Sequence, residues 1–136
     1  MLSFKHFTVA VHDLDESVTN YKARLGLSVM AEKAHNSIGN FDFVVLGQDG
    51  QTFCHLICPS SEESPIYRLM QDRVNRLNPH GEGIYLLAFD VPSTDAIAQQ
   101  IEANGGRVNR APNSTNIWVH PLSTNFVLME LFEGRA

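Results

Sequence analysis

Cysteine is nearly absent. Cys54 and Cys58 are the only two in 136 residues, and on an extended strand their Cα atoms would stand roughly 13 Å apart, beyond disulfide reach. They read as two reduced thiols that serve as small buried groups. Basic charge is also scarce. Ten Lys and Arg stand against fifteen Asp and Glu, a formal net charge of −5, and no basic cluster exceeds a pair. A general binder of phosphate backbones is excluded on that balance. Long apolar runs are missing too. The stretch 84–89 is among the longest, far short of a membrane helix, and residues 1–7 lack the apolar core and small-residue cleavage site of a secretion signal. The expected location is the cytoplasm.

What is present suits one ordinary domain: 43% hydrophobic and 18% charged residues. A chain of this length buries about two-thirds of its unfolded surface. It therefore needs no metal to hold a core, and any metal it takes serves chemistry.

The pattern begins with β-branched and aromatic residues in strand register over 5–11. Leu14, Val18, Tyr21 and Leu25 then recur at helical spacing, with Asp13 placed to cap the start, Glu16 three positions on and Gly26 to stop the helix. Extended stretches follow at about 27–33, 41–47 and 51–58, the last two joined through Asp49-Gly50, a hairpin signal. Ser64-Pro65 opens a connector helix whose stripe of Ile66, Met70, Val74 and Leu77 runs to Asn78-Pro79. Connector residues Arg68, Arg73 and Arg76 read as a solvated face.

The second half repeats the first. A strand over 84–91 leads through Pro92-Ser93 to a helix with Ile97 and Ile101 that stops at Gly105-Gly106, followed by strands near Val108, over 116–120 and over 126–132. An offset of 80 matches Val11 with Val91, Asp15 with Asp95, Ala23 with Ala103 and Gly26 with Gly106. The predicted fold is α+β: a single domain over 1–136 of two β-α-β-β-β modules, 1–60 and 81–136, with a connector at 61–80, their mixed sheet curving round a cavity.

Alternation decides which strand side chains face that cavity. His6 and Thr8 lie opposite the apolar row Phe7, Val9 and Val11. Phe53, His55 and Ile57 share one face of their strand, and Leu128, Glu130 and Phe132 share one face of the last. A carboxylate set among leucines and phenylalanine must be paired, coordinated or exposed. Positions 6, 55, 86 and 130 would then meet. Three are ligands for a divalent metal, His6, His55 and Glu130, and the fourth is Leu86. Two imidazoles and one carboxylate suit Zn, Ni, Co, Mn or Fe. Such a metal polarises a carbonyl and favours proton loss beside it. Thr8, Phe53, Leu86, Leu128 and Phe132 complete the expected pocket. The remaining histidines, His12, His35, His80 and His120, flank turns or strand ends and read as solvated, His120 being the spare candidate.

The run from His6 to Gly26, the segment Gly81-Glu82-Gly83-Ile84, and the stretch that begins His120-Pro121 and ends Met129-Glu130 give the chain a resemblance to the vicinal oxygen chelate superfamily. That family includes glyoxalase I, extradiol dioxygenases, bleomycin and fosfomycin resistance proteins and methylmalonyl-CoA epimerase. The segments 58–66 and 81–83 look most similar to its epimerase and glyoxalase branch. The resemblance implies a metal on His6, His55 and Glu130, with Glu130 also moving a proton. It implies a lyase or isomerase acting next to the carbonyl of a small carbonyl compound or thioester, and a homodimer. The alternatives are a metal-free binding protein of the resistance type and an extradiol-type dioxygenase. The sequence departs from the family pattern twice: His55 stands where the epimerases carry Glu or Gln, and Leu86 where a histidine is usual. Asn40 and Asp42 lie where a second catalytic base would be sought.

Overall fold

The computed structural model describes residues 1–134. The elements run β1 (Ser3–Ala10), α1 (Leu14–Leu25), β2 (Ser28–Asn36), β3 (Phe41–Gln48), β4 (Gln51–Pro59), α2 (Pro65–Asp72), β5 (Gly83–Val91), α3 (Thr94–Ala103), β6 (Val108–Arg110), β7 (Ile117–Val119), a 3-10 turn (Pro121–Ser123) and β8 (Met129–Glu133). This is the predicted α+β order, two β-α-β-β-β runs with a helix between them. The chain packs into two compact units: residues 7–85, and residues 1–6 together with 86 onward.

In the first unit the strand order is β2-β3-β4-β1. β1 runs parallel to β4 with Phe7 opposite Cys54 and Thr8 opposite His55, whereas β3 meets β4 antiparallel. The hairpin between them turns through Asp49 at φ 51 and Gly50 at φ 73, the paired left-handed residues of a type I′ turn. Asp13 caps α1 by accepting from the Glu16 amide at 3.0 Å, and Gly26, at φ 70, ends it by donating to the Lys22 carbonyl. Acids in the first turn and bases in the last follow the helix dipole. One face of the sheet packs Val9, Val11, Leu14, Val44, Leu46 and Leu56 into a core with α1. The other face packs Ala10 and Ile57 against Ile66 and Met70 of α2.

The connector helix is shorter than its apolar stripe predicts. α2 ends at Asp72, and Val74 and Leu77 are 45% and 84% exposed. Asn75 is the physical reason: its Oδ1 accepts from the amides of Leu77 at 2.9 Å and Asn78 at 3.1 Å, a local turn that displaces the helical ladder. The chain then doubles back at Gly81, where φ is +64 and any Cβ would stand 1.7 Å from the Met70 carbonyl oxygen.

In the second unit the order is β5-β8-β7-β6, with β5 parallel to β8 and the other pairs antiparallel. Ser93 caps α3 by accepting from the Ala96 amide at 3.1 Å. It stands 80 positions after Asp13, so the repeat extends to the cap. Val91, Ala98, Ile117, Val119 and Leu131 form the core, closed by Phe89, Ile97, Ile101 and Met129. The last strand starts three residues later than predicted. Asn125 and Phe126 have φ of 57 and 66, and the Phe126 amide donates to the Pro121 carbonyl at 2.8 Å. The proline turn thus runs on into residues that alternation alone assigns to a strand, leaving Phe126 78% exposed.

Candidate functional site

The core clusters settle the strand faces. In the second unit Phe89, Val91, Met129 and Leu131 face α3, so Leu86 and Ala88 on β5, and Glu130 and Phe132 on β8, occupy the opposite face, with the Leu128 carbonyl, just before β8, accepting from the Leu87 amide. Glu130 sits between Ala88 and Trp118 in register. Its Oε2 accepts from the Asn116 amide at 3.4 Å. Burial pushes its carboxyl above the ordinary range, and the bonds from Asn116 and the Trp118 indole offset that only in part. Leu86 is 7% exposed and His6 5% exposed. The His6 ring lies 6.3 Å from that of Phe132, and the Lys5 ammonium lies 5.3 Å from the same ring and 3.5 Å from Asp90.

In the first unit Thr8, 5% exposed, is the register partner of His55. The His55 ring runs nearly parallel to Phe43, at 11° and 6.4 Å. His55 shares its face with Ile57, opposite Cys54 and Leu56, as alternation predicts. Phe53 is 37% exposed and meets Phe7 edge-on at 5.1 Å. Burial pushes the Cys54 thiol up to about 11 and raises Cys58 as well. Both are free thiols, and neither is activated.

The predicted ligands are therefore distributed, with His6 and Glu130 in one unit and His55 in the other. The offset of 80 that sets Thr8 with Ala88 also makes His55 and Glu130 register twins, and it sets His6 against Leu86. By donor chemistry, two imidazoles and a carboxylate fit a divalent ion. Among the described residues, no three or more His, Cys, Asp or Glu side chains are grouped so as to hold an ion. Of the other candidates, Asp42 is engaged by His35 at 2.8 Å, and Asn40, at φ 54, serves the turn into β3 and donates to Ser61. His120 caps the proline turn, its Nδ1 accepting from the Leu122 amide at 3.1 Å.

One polar cluster is invisible to the sequence reading. Glu82 Oε2 accepts from the His12 amide at 2.9 Å and from His12 Nδ1 at 2.8 Å, and His80 stacks on His12 at 3.5 Å and 8°. Burial pushes the Glu82 carboxyl up, but the His12 bonds and the neighbouring imidazole charges outweigh it and bring the group below its ordinary range. His12 and Glu82 are 70 positions apart. The one available signal is position: His12 directly precedes a cap, and Glu82 sits between two glycines that bend the chain. No helix among the described residues is long and apolar enough to cross a membrane.

Residues 3–118 match the family described as Glyoxalase/Bleomycin resistance protein/Dioxygenase superfamily. No curated protein matches the chain. Solved structures do. A hypothetical protein of Bacillus halodurans C-125 shares the fold at a TM-score of 0.81 and 24% identity, over 99% of this chain and 96% of its own. Methylmalonyl-CoA epimerase from Mycobacterium tuberculosis aligns at a TM-score of 0.78 and 26% identity, over 98% and 89%. A variant of the Streptomyces coelicolor methylmalonyl-CoA epimerase, in complex with 2-nitronate-propionyl-CoA, aligns at 0.76 and 27%, over 96% of each chain. On the match over most of its length, this chain belongs to the glyoxalase/bleomycin resistance protein/dioxygenase superfamily.

Proposed function

We propose that the protein is an isomerase or lyase that moves a proton next to the carbonyl of a small acyl thioester or related carbonyl compound. The observation that carries this reading is the face of the second module that looks away from α3. There a carboxylate, Glu130, is held in place by Asn116 and Trp118 among Leu86 and Phe132. The likeness to methylmalonyl-CoA epimerases supports the thioester. As proposed ligands, His6, His55 and Glu130 have the donor chemistry of a divalent site, and such an ion would supply Lewis acidity to a carbonyl. Glu130 accepts and returns the proton. Partial burial raises its carboxyl above the ordinary range, and the Asn116 amide engages one of its oxygens.

The test is hydrogen exchange. With methylmalonyl-CoA in D2O, the C–H beside the thioester carbonyl exchanges with solvent in the presence of protein, and Glu130→Gln slows this by about 100-fold or more. Metal analysis in parallel finds a stoichiometric ion in wild type and loss of it in His55→Ala. Absence of exchange on acyl-CoA and simple carbonyl substrates, with each candidate metal supplied, sinks the reading. Leu86 favours a second one. An aliphatic side chain, 7% exposed, on the face that carries Glu130 suits a metal-free protein that binds a small apolar ligand. Ligand binding unaffected by EDTA selects it.

A further inference from the structure

The two modules carry grooves beside equivalent helix faces, and the grooves differ in chemistry. The groove at α3, of about 350 Å3, is walled by Ile97, Ile101, Val119, Met129 and Leu131. The groove at α1, of about 540 Å3, has Val9 and Val11 along its floor, Ser17, Asn20, Tyr21 and Arg24 along the helix, and Glu82 and Gly83 opposite. The offset of 80 sets Ser17 against Ile97 and Tyr21 against Ile101, with Asn20 against Gln100 and Arg24 against Asn104. Positions 17, 20, 21 and 24 form one stripe at helical spacing. In the second module the stripe carries two isoleucines packed against the core, with Gln100 and Asn104 beside them. The first replaces the isoleucines with the hydroxyl of Ser17 and with Tyr21, whose ring still packs against the core, and carries an amide and a guanidinium in place of Gln100 and Asn104.

The far wall is fixed. Both bonds from His12 fall on Glu82 Oε2, leaving Oε1 as an acceptor. The Glu82 backbone is pinned by Asn78, whose side chain donates to the Glu82 carbonyl at 2.8 Å and accepts from its amide at 3.0 Å. Among the described residues Arg24 forms no ion pair, with Glu82 or any other acid. A fixed anion and an uncommitted guanidinium thus border one recess, with hydroxyl and amide groups between them.

We propose that this groove binds a small acid whose carboxylate or phosphate is taken by Arg24 and whose hydroxyl or ammonium donates to Glu82. Arginine suits such an anion because its fork can bond two oxygens at once. The inference stands apart from the proton-transfer reading, which uses other residues.

The experiment titrates 15N-labelled protein separately with glycerol 3-phosphate and L-serine, with glycerol as the control that lacks an anion. Saturable amide shifts at residues 17–25 and 82–83 with at least one acid, none with glycerol, and at least tenfold weaker binding in Arg24→Ala support the site. Which acid binds identifies the anion. Glu82→Gln weakens binding of the same acid. Failure of both acids to saturate, shifts confined to other regions, or unchanged affinity in a folded Arg24→Ala protein overturns it.

Discussion

At the register position where β4 pairs with β1, the first module carries the imidazole of His55. The second, where β8 pairs with β5, carries the carboxylate of Glu130. Two residues earlier on the opening strands the contrast is sharper: His6 in one copy, Leu86 in the other. The helices differ in the same way, polar toward the groove in α1 and aliphatic in α3. The duplicated parts are those that build the backbone: the N-caps Asp13 and Ser93, the left-handed glycines Gly26 and Gly105 that follow the helices, and the parallel pairing of the opening and closing strands. The divergent parts line grooves or lie on the sheet faces opposite α1 and α3. Backbone plan and surface chemistry vary separately here because capping and apolar patterning fix the first, while the residues that line recesses contribute little to it.

The equality of the two cores gives the largest predicted effect. Leu56→Ala in the first module and Leu131→Ala in the second, both essentially inaccessible, should each cost about 2–5 kcal/mol of unfolding free energy by denaturant titration. A loss confined to one of them would mean that the modules do not share stability alike.

Restoring the twin is the next test. Leu86→His places a second imidazole at the position that matches His6, and it should tighten Zn binding by about tenfold or more in calorimetric titration. Unchanged affinity would separate position 86 from any ligand set.

The smallest effect sets the two carboxylates against each other in the metal-free protein. Glu82 is held below its ordinary range by His12, so it stabilises the fold above the unfolded carboxylate range and loses that contribution as pH falls through its folded value. Glu130 is raised by burial, so its ionisation costs stability, increasingly as pH rises through its folded value. Glu82→Gln should therefore lower the Tm at pH 7 and Glu130→Gln should raise it, the two differences converging on acidification. The same sign for both would break the contrast.

Much of the architecture was legible because it is local. Asp13, Gly26 and Asp49-Gly50 each specify a cap or turn within a few residues, and they appear as read. Alternation placed His55 with Ile57 and Glu130 opposite Leu131 because the strand period is two. The reading failed where side chains compete with the ladder: Asn75 ends α2 against an apolar stripe that ran on, and the proline turn consumes residues at the start of β8.

By itself, the sequence determined the order of the elements, their duplication and the faces of residues such as His55 and Glu130, since these follow from spacing and from caps that act over three or four positions. Only the tertiary structure decided that His12, Glu82 and His80 form one cluster, that Asn116 and Trp118 hold Glu130, and that the α1 stripe lines a polar groove while the α3 stripe lines an apolar one. Those contacts join residues whose separation along the chain carries no periodic signal, and they exist only once the strands have paired.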